Sequence, residues 1–329
     1  MNMKVLHSLA ILALALSASQ SQMSMAQSIP DRTSDRPYII DLRHRLDSTV
    51  LSAARATLNA GEHASTLGPK KTKAYQFRSV DYPGASGSTA HDSNGHIIVG
   101  EFSDSSTTYA RAFYLKGTTY YTVNIPGAVE SFFLGINTPG QMVGSYYDSS
   151  EHGFVYDGKS ISTFDVPGSY GTTDATDISD SGVIVGDYLD NNIHQHGFED
   201  KDGVFTTLDF PGANRTFAVG INSGGEIVGA YIDTAGEHGF LLSNGVYSAV
   251  DFPLSIDTAA FGINDEGDIT GTFIDASLLT HGFTYSSGAF HQIDVAGAAV
   301  TYLDRMTKDG TVIGSISDGL KEAHGIVGH

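Results

Sequence analysis

A repeat of 41 to 44 residues restricts the fold of this chain more than any other feature of its sequence. Each unit contains a His-Gly-Phe type triplet and an Asp-x-Pro-Gly-Ala type turn, and four of the six contain a Val-Gly strand. The triplet occurs as Arg111-Ala112-Phe113 and then begins at His152, His196, His238, His281 and His324. A period of roughly 40–45 residues is typical of the blades of a β-propeller, whereas a β-helix repeats over much shorter units.

The fourth unit shows most clearly how each repeat divides into strands. Four β-rich runs lie at Thr216–Asn222, Glu226–Ile232, His238–Leu242 and Val246–Phe252, and turn residues separate them. The last two flank Asn244-Gly245, which is a strong hairpin signal. Four antiparallel strands make one propeller blade. The sequence therefore predicts an all-β fold, a six-bladed β-propeller of four-stranded antiparallel blades.

The phase of the repeats predicts how the ring closes. The sixth unit stops after its third strand, and a strand-like segment with no strands before it stands at Tyr75–Asp81. We predict that this segment supplies the fourth strand of the blade that begins near Ala299, so that an N-terminal strand closes the ring. The propeller would then cover residues 75–329.

The residues before the repeats carry signals of a different kind. The apolar run Leu6–Leu16, followed by Ser24-Met25-Ala26, is typical of a secretory signal peptide over residues 1–26, with cleavage near Ala26. Residues 27–74 are predicted to form a short helical segment and a linker, because apolar residues recur at three and four positions from Tyr38 to Asn59. We expect an exported protein, extracellular or periplasmic, and no transmembrane segment.

Charge and composition restrict the partners. Residues 79–329 hold eight Lys or Arg against 32 Asp or Glu, so the repeats would repel nucleic-acid phosphates. The chain has no Cys, and an exported form must rely on its core instead of disulfides. No cofactor motif is evident; Ca²⁺ is the ion that acidic turns such as Asp265–Asp268 would favour, although no EF-hand pattern occurs. We expect a monomer that binds an extracellular ligand or a polysaccharide.

The polar residues that recur are an Asp at the end of each second strand and the first residue of each triplet. We interpret each pair as a pin across a hairpin turn, since a carboxylate accepts hydrogen bonds from imidazole or guanidinium N–H groups. The pairs are Asp104 with Arg111, Asp148 with His152, Asp190 with His196, Asp233 with His238, Asp275 with His281, and Asp318 with His324. A ring of metal-binding His is the alternative, but a metal needs three or four ligands at one point and the repeat spreads these over separate blades.

The motifs together resemble those of the HAF-type extracellular repeat proteins of bacteria. The likeness covers residues 75–329 and rests on Gly-Ile-Asn segments at Gly135, Gly220 and Gly262 and on the triplets. Only Arg111-Ala112-Phe113 keeps the Ala of the family's His-Ala-Phe triplet, and Gly replaces it in the others. The resemblance implies an exported propeller-type repeat protein without an assigned activity, and it transfers no catalytic residue.

Function is expected where the repeat is broken, because packing explains what recurs. Counted back from the turn glycines, one position of the first strands is occupied by Ala90, Gly135, Asp177, Gly220, Gly262 and Arg305. Asp177 and Arg305 are charged and belong to opposite blades, so we expect them on opposite walls of the channel mouth. His91, Glu101 and Asp187 also depart from the repeat and complete the set of candidate binding residues.

Three functions remain open at this point. The leading hypothesis is a non-enzymatic module that binds an extracellular ligand or surface polymer, carbohydrate included. The alternative is a hydrolase or lyase whose acidic, cation-assisted site uses Asp177, Glu101 or Asp187 with Arg305, which would require two converging carboxylates. A structural envelope or adhesion module is the third. No Gly-x-Ser-x-Gly, His-Glu-x-x-His or phosphate-loop motif occurs, and we predict no catalytic residue.

Overall fold

The computed structural model describes residues 75–103, 109–307, 309–317 and 323–329. Within these residues, 24 strands form six four-stranded antiparallel sheets, as predicted. None of the described residues belongs to a helix that could span a bilayer. The signal peptide, the helix within residues 27–74, Asp104 and Asp318 lie outside the described residues.

The first three blades follow one another along the chain, and each adds its strands from the ring axis outward. Blade 1 consists of β2 (Gly87–Ser93), β3 (Ile97–Ser103), β4 (Ala110–Lys116) and β5 (Thr119–Thr122). Blade 2 consists of β6 (Glu130–Ile136), β7 (Met142–Tyr147), β8 (Glu151–Tyr156) and β9 (Ile161–Phe164). Blade 3 consists of β10 (Ser169–Ile178), β11 (Ile184–Asp190), β12 (Gln195–Lys201) and β13 (Val204–Leu208).

The remaining blades repeat this pattern until the last. Blade 4 consists of β14 (Arg215–Ile221), β15 (Ile227–Ile232), β16 (Glu237–Ser243) and β17 (Val246–Ala249). Blade 5 consists of β18 (Asp257–Ile263), β19 (Ile269–Ile274), β20 (Thr280–Ser286) and β21 (Ala289–Ile293). Blade 6 takes β22 (Val300–Met306), β23 (Val312–Ser317) and β24 (His324–Gly328) from the end of the chain and β1 (Phe77–Val80) from before blade 1.

Strand β1 pairs antiparallel with β24 over the register from Phe77 opposite Gly328 to Val80 opposite Gly325. The Gln76 N–H also donates to the carbonyl of His329 (3.1 Å). Val80 is fully buried in a cluster that includes residues of blades 1 and 6. This is the pairing expected from the phase of the repeats; its contribution to holding the ring closed stays a prediction.

The core of the protein lies between consecutive blades. The last residue of each triplet, which is Phe in five blades and Ile326 in blade 6, is buried there, as Phe240 is against Val185 and Ala218. The adjacent Gly239 has no room for a side chain, because a Cβ would lie 2.5 Å from the carbonyl oxygen of Val250. The triplet therefore recurs because each blade needs a large apolar side chain next to a closely packed backbone.

Two faces follow from the meander order. We name the strands of each blade A to D from the axis outward. The A–B and C–D turns lie on one face, here called the AB face. The B–C turns and the links from D to the next A lie on the other, here called the BC face.

Candidate functional site

Each innermost strand carries a β-bulge, and the residue after the bulge lies at the axis. The register of strands A and B shifts at this point in every blade. The residues after the bulge are Asp92, Gly135, Asp177, Gly220, Gly262 and Arg305. The sequence count that assigned Ala90 to this set was wrong. Gly95 follows Asp92 by three positions whereas Gly225 follows Gly220 by five, so counting from the turn glycine fails in blade 1.

The side chain of Arg305 occupies the axis of the ring. Its Nη2 donates to the carbonyl oxygens of Thr176 (3.2 Å) and Val219 (2.9 Å), which belong to blades 3 and 4. Its Nη1 donates to the carbonyls of Asp304 (3.1 Å) and Phe261, in blades 6 and 5. Arg305 is only 7% exposed. One guanidinium thus joins the innermost strands of four blades.

Asp92 and Asp177 face this guanidinium. Asp177 Oδ2 lies 3.4 Å from Arg305 Nη2, and Asp92 Oδ2 lies 4.0 Å from Arg305 Nε. Asp177 and Arg305 were expected on opposite walls of an open channel; their blades are opposite, but their side chains meet. The sequence could not show this, because the reach of a long Arg side chain across the axis depends on the bore of the ring.

Both carboxylates also bind the neighbouring blade. The N–H of Ile136 donates to Asp92 Oδ2 and that of Ile221 donates to Asp177 Oδ2, each at 2.9 Å. Burial raises the pKa of Asp92 to about 7; the Asp177 charge adds to this and Arg305 opposes it. Burial likewise raises the pKa of Asp177, with Arg305 acting in the opposite direction.

Glycines fill the other three axial positions because no side chain fits there. A Cβ on Gly262 would lie 2.5 Å from the carbonyl oxygen of Asp304, and one on Gly135 would lie 2.8 Å from Asp177 Oδ1. Three blades thus bring bare backbone to the axis, and the charged residues of blades 1, 3 and 6 fill the remaining space. We name Asp92, Asp177 and Arg305 the axial triad.

Above the axial triad, on the AB face, lies a polar funnel of about 300 Å³. All six blades line it through their A–B turns. The turn residues at its wall include Asn94, Thr138, Asp180, Ser223, Asp265, Thr307 and Asp309. The turns are tied together in neighbouring pairs: the Thr138 N–H donates to Asp180 Oδ1 (2.8 Å), and the Ser223 N–H donates to Asp265 Oδ1 (2.9 Å). The Oδ2 atoms of Asp180 and Asp265 accept no hydrogen bond from any described residue.

His91 and Glu101 lie in a separate network between blades 6 and 1. His91 is buried, its Nδ1 lies 3.1 Å from Asp304 Oδ2, and its Nε2 contacts Glu101 Oε2. His91 and Asp304 are both bulge residues, so the same backbone irregularity in adjacent blades brings them together. These contacts account for His91 and Glu101 as links between two blades.

Asp187 lies in a third place, between blades 2 and 3, with two other buried carboxyl groups, Glu151 and Asp174. Asp174 and Asp187 are opposite each other in the ladder of β10 and β11. Neither Glu151 oxygen, nor Asp187 Oδ2, nor the buried Tyr147 hydroxyl forms a hydrogen bond of good geometry with a described residue. The Tyr147 and Ser145 hydroxyls are nevertheless neighbours of the Glu151 carboxyl group. Burial raises the pKa of Glu151 and of Asp187 well above the usual value, and the neighbouring carboxylates raise both further.

The repeated Asp and His residues lie on the BC face and are more extensively paired than predicted. The expected contact is present but long, as between His152 Nε2 and Asp148 (3.4 Å) or His238 Nε2 and Asp233 (3.6 Å). The shorter contact joins the Nδ1 of each His to the Asp of the Asp-x-Pro-Gly turn. These contacts are His152–Asp165, His196–Asp209, His238–Asp251, His281–Asp294 and His324–Asp81, at 2.8 to 3.1 Å.

The Asp of an Asp-x-Pro-Gly turn commonly accepts hydrogen bonds from the backbone of its own turn. That backbone is instead capped by hydroxyl groups of the following strand, as Thr216 Oγ1 caps the Phe210 N–H (2.9 Å). Arg111 belongs to blade 1, where Asn124 replaces the turn Asp, and both line a second pocket with Tyr82 and Phe102.

The structure thus separates the five candidate residues into three places. Only Asp177 and Arg305 lie at the funnel. Asp92, Asp304, Glu151 and Asp174 were missed by sequence reasoning. The signal for Asp92 was present, because Asp92-Ser93-Asn94 takes the place of Gly-Ile-Asn, but recognising it requires alignment at the bulge instead of at the turn.

Comparisons with known proteins support the architecture alone. No family model matches the sequence, and no curated protein matches it. TolB from Acinetobacter baumannii is similar in structure at a TM-score of 0.52 and 10% identity, over 75% of this chain and 64% of that one. Virginiamycin B lyase from Staphylococcus aureus aligns at a TM-score of 0.48 and 7% identity, over 77% and 99% of the two chains. The six-bladed lectin of Aleuria aurantia aligns at 0.45 and 13%, over 73% and 90%.

Proposed function

We propose that this protein is an exported, non-enzymatic β-propeller of the HAF repeat type that binds a hydroxyl-rich extracellular ligand, such as a surface carbohydrate, in the axial funnel. Export and the repeat family rest on the leader-like N-terminus and the triplets of the sequence. The funnel is the observation that carries the binding function. Its volume lies at the lower end of the roughly 300–1,000 Å³ of small-molecule sites, and every blade contributes to its wall.

The chemistry of the wall favours a neutral or cationic polar ligand. Asp180 and Asp265 are exposed, each uses Oδ1 to fix a neighbouring turn, and each has Oδ2 available toward solvent. Carboxylate oxygens are strong acceptors for hydroxyl or ammonium donors. Anionic ligands would be repelled by these charges. The polar groups are fixed by hydrogen bonds between blades before a ligand arrives, which lowers the entropic cost of binding.

The axial triad forms the floor of this site and supports it. All four carboxylate oxygens of Asp92 and Asp177 already accept a backbone N–H. A ligand would therefore contact the turns above and find the floor closed. This is the reason for placing recognition at Asp180 and Asp265 instead of at Asp177 and Arg305.

A glycan array with the full chain, followed by calorimetric titration of the strongest hit, tests the proposal. We expect the double variant Asp180→Asn, Asp265→Asn to weaken binding at least tenfold, because it removes both charges while Oδ1 still accepts the same N–H groups. The matched control is Asp157→Asn, which changes an exposed Asp in an outer C–D turn on the same face. Absence of glycan binding, or equal loss in the control, would overturn the assignment.

One observation favours the hydrolase or lyase alternative. Two carboxylates converge on one guanidinium at the base of the funnel, and the pKa of Asp92 is raised to about 7, which suits a general acid or base. A polysaccharide screen for released reducing ends or unsaturated products tests this alternative. Activity of the wild type that Asp92→Asn loses while it still binds glycan would establish catalysis. If the wild type shows no activity either, binding remains the function.

A further inference from the structure

The B–C turn of blade 3 differs from those of the other blades in one respect. It contains a second His, His194, beside the repeated pair of Asp190 and His196. Asp190 Oδ2 lies 3.6 Å from His194 Nδ1 and 3.7 Å from His196 Nε2. One ligand atom from each of the three side chains falls within 4.8 Å of the others.

These separations approach those of a filled metal site. Metal–ligand bonds of 2.0–2.1 Å in a tetrahedron place neighbouring ligand atoms about 3.4 Å apart. The two Asp190–His distances are within tenths of an ångström of this value. The two imidazole nitrogens lie within 4.8 Å of each other, so a rotation of the His194 side chain would complete the site. The side chain of His194 is exposed, whereas those of His196 and Asp190 are partly buried.

Hydrogen bonds from Asp209 and from the backbone of the turn orient the ligand atoms. Asp209 Oδ1 accepts from Nδ1 of His196 at 2.8 Å, which leaves the Nε2 lone pair pointing toward Asp190. A carboxylate bound to the remote nitrogen of an imidazole is the usual support of a His metal ligand. Asp190 Oδ1 accepts the N–H groups of Asn192 and His194, both at 2.8 Å, so the turn itself fixes this carboxylate with Oδ2 facing the two imidazoles.

We propose that Asp190, His194 and His196 bind one divalent first-row transition ion, with Zn²⁺ as the expected occupant. Two imidazole nitrogens and one carboxylate oxygen suit Zn²⁺ and its neighbours in the series, whereas Ca²⁺ and Mg²⁺ require oxygen ligands. Three protein ligands leave a fourth position open to water or to a group from a partner. The repeated Asp–His pair alone is not a site; His194 completes it in one blade.

Blade 5 provides the matched comparison. Its turn from Asp275 to Leu279 has the same backbone hydrogen bonds: the Asp275 N–H donates to the Leu279 carbonyl (3.0 Å), as the Asp190 N–H does to the His194 carbonyl (2.9 Å). Ile193 and Leu278 both adopt a positive φ, of 66° and 62°. His281 Nε2 lies 3.4 Å from Asp275 Oδ2. Leu279 stands where blade 3 has His194, so blade 5 supplies two of the three ligands on an equivalent turn.

The test is calorimetric titration of the untagged full chain with Zn²⁺ at pH 7.5, supported by the visible spectrum of the Co²⁺ form. We expect one ion per chain, bound at least tenfold more weakly in His194→Leu and about 10- to 100-fold more weakly in Asp209→Asn. Leu279→His should add a second ion in blade 5. All variants should retain the wild-type melting temperature in EDTA, because the changes lie in surface turns outside the core between blades.

Three results would overturn the proposal. These are the absence of Zn²⁺ binding to the wild type, binding that His194→Leu leaves unchanged, and a loss in His238→Ala equal to that in His194→Leu. The last variant removes the repeated His of blade 4, whose turn has no counterpart of His194. Equal losses would mean that zinc binds to the repeated pairs in general.

Discussion

The BC face and the axis of this propeller both place Asp next to a basic side chain, but the two regions differ in repetition and in burial. On the BC face the pairs recur, and their carboxylates are partly exposed: the Asp251 side chain retains 39% of its accessible surface. At the axis the three charged residues occur once each, and all are almost fully buried. We therefore expect the protein to tolerate loss of a repeated pair, whereas the unique buried charges should depend on one another.

The largest expected effect concerns the integrity of the ring that holds the axis. Deletion of residues 75–81 removes β1, with the buried side chain of Val80 and its ladder to β24. We expect a loss of roughly 5 kcal/mol or more, or of cooperative unfolding, from the apolar burial and the hydrogen bonds removed. Urea unfolding measures this loss of stability. A variant that lacks residues 1–74 but keeps β1 is the control. Unchanged stability after deletion of β1 would refute closure by this strand.

The second effect is expected at the axis itself. Arg305→Met leaves Asp92 and Asp177 buried without a cation, which typically costs about 3–5 kcal/mol. Equilibrium unfolding in urea at pH 7 measures this loss. A loss below about 1 kcal/mol would place the axial triad in the same class as the pairs on the BC face.

The third effect separates buried carboxyl groups from exposed ones by pH. Glu151, Asp187 and Glu237 have raised pKa values because of burial, that of Glu237 rising to about 8. Such groups hold protons in the folded state that the unfolded state releases above about pH 4, so the free energy of unfolding should fall as the pH rises from about 5 to 8. Glu151→Gln should reduce this slope and stabilise the protein at pH 8 more than at pH 5.

Thermal unfolding of both proteins from pH 4 to 9 checks that expectation. Equal slopes for the wild type and Glu151→Gln would contradict it. A rise in melting temperature with added Ca²⁺ that Glu151→Gln abolishes would show that a cation, instead of protons, neutralises this cluster.

The smallest effect is expected on the BC face. Asp251→Asn removes the charge that His238 Nδ1 faces at 3.1 Å, in an exposed pair. Exposed ion pairs contribute about 0–1 kcal/mol. We therefore expect Asp251→Asn to change the unfolding free energy by less than about 1 kcal/mol. Asp165→Asn, the equivalent change in blade 2, should have an equally small effect. A loss above about 2 kcal/mol in either variant would show that the repeated pairs carry the stability assigned here to the axis.

The sequence predicted what depends on local pattern. The blade number and the strand order follow from the period of the repeat and from residue type. The sequence did not correctly predict the positions of residues at the axis and between the blades. Ala90 was assigned in place of Asp92 because the A–B turn of blade 1 is two residues shorter than those of the other blades. Asp187 was grouped with Asp177 because the sequence does not show which interface between blades a departing residue enters.

The same limit applies to the cluster at Asp190. Asp190 and His196 were interpreted as a pair at one hairpin, but His194 was not singled out, because it matches no repeat position. Whether His194 and His196 both face the Asp190 carboxylate depends on the directions of their side chains in the turn, which the sequence does not show. The comparison of the turns of blades 3 and 5 supplies that information, since one backbone geometry carries His194 in one and Leu279 in the other.

A double-mutant comparison at the axis tests the central claim most directly. The unfolding free energy of Arg305→Met is measured alone and in the background Asp92→Asn, Asp177→Asn. If the axial charges depend on one another, Arg305→Met should cost about 3–5 kcal/mol in the wild type and less than half of that in the neutralised background. Equal losses in the two backgrounds would contradict the account, because Arg305 would then act through its backbone contacts alone.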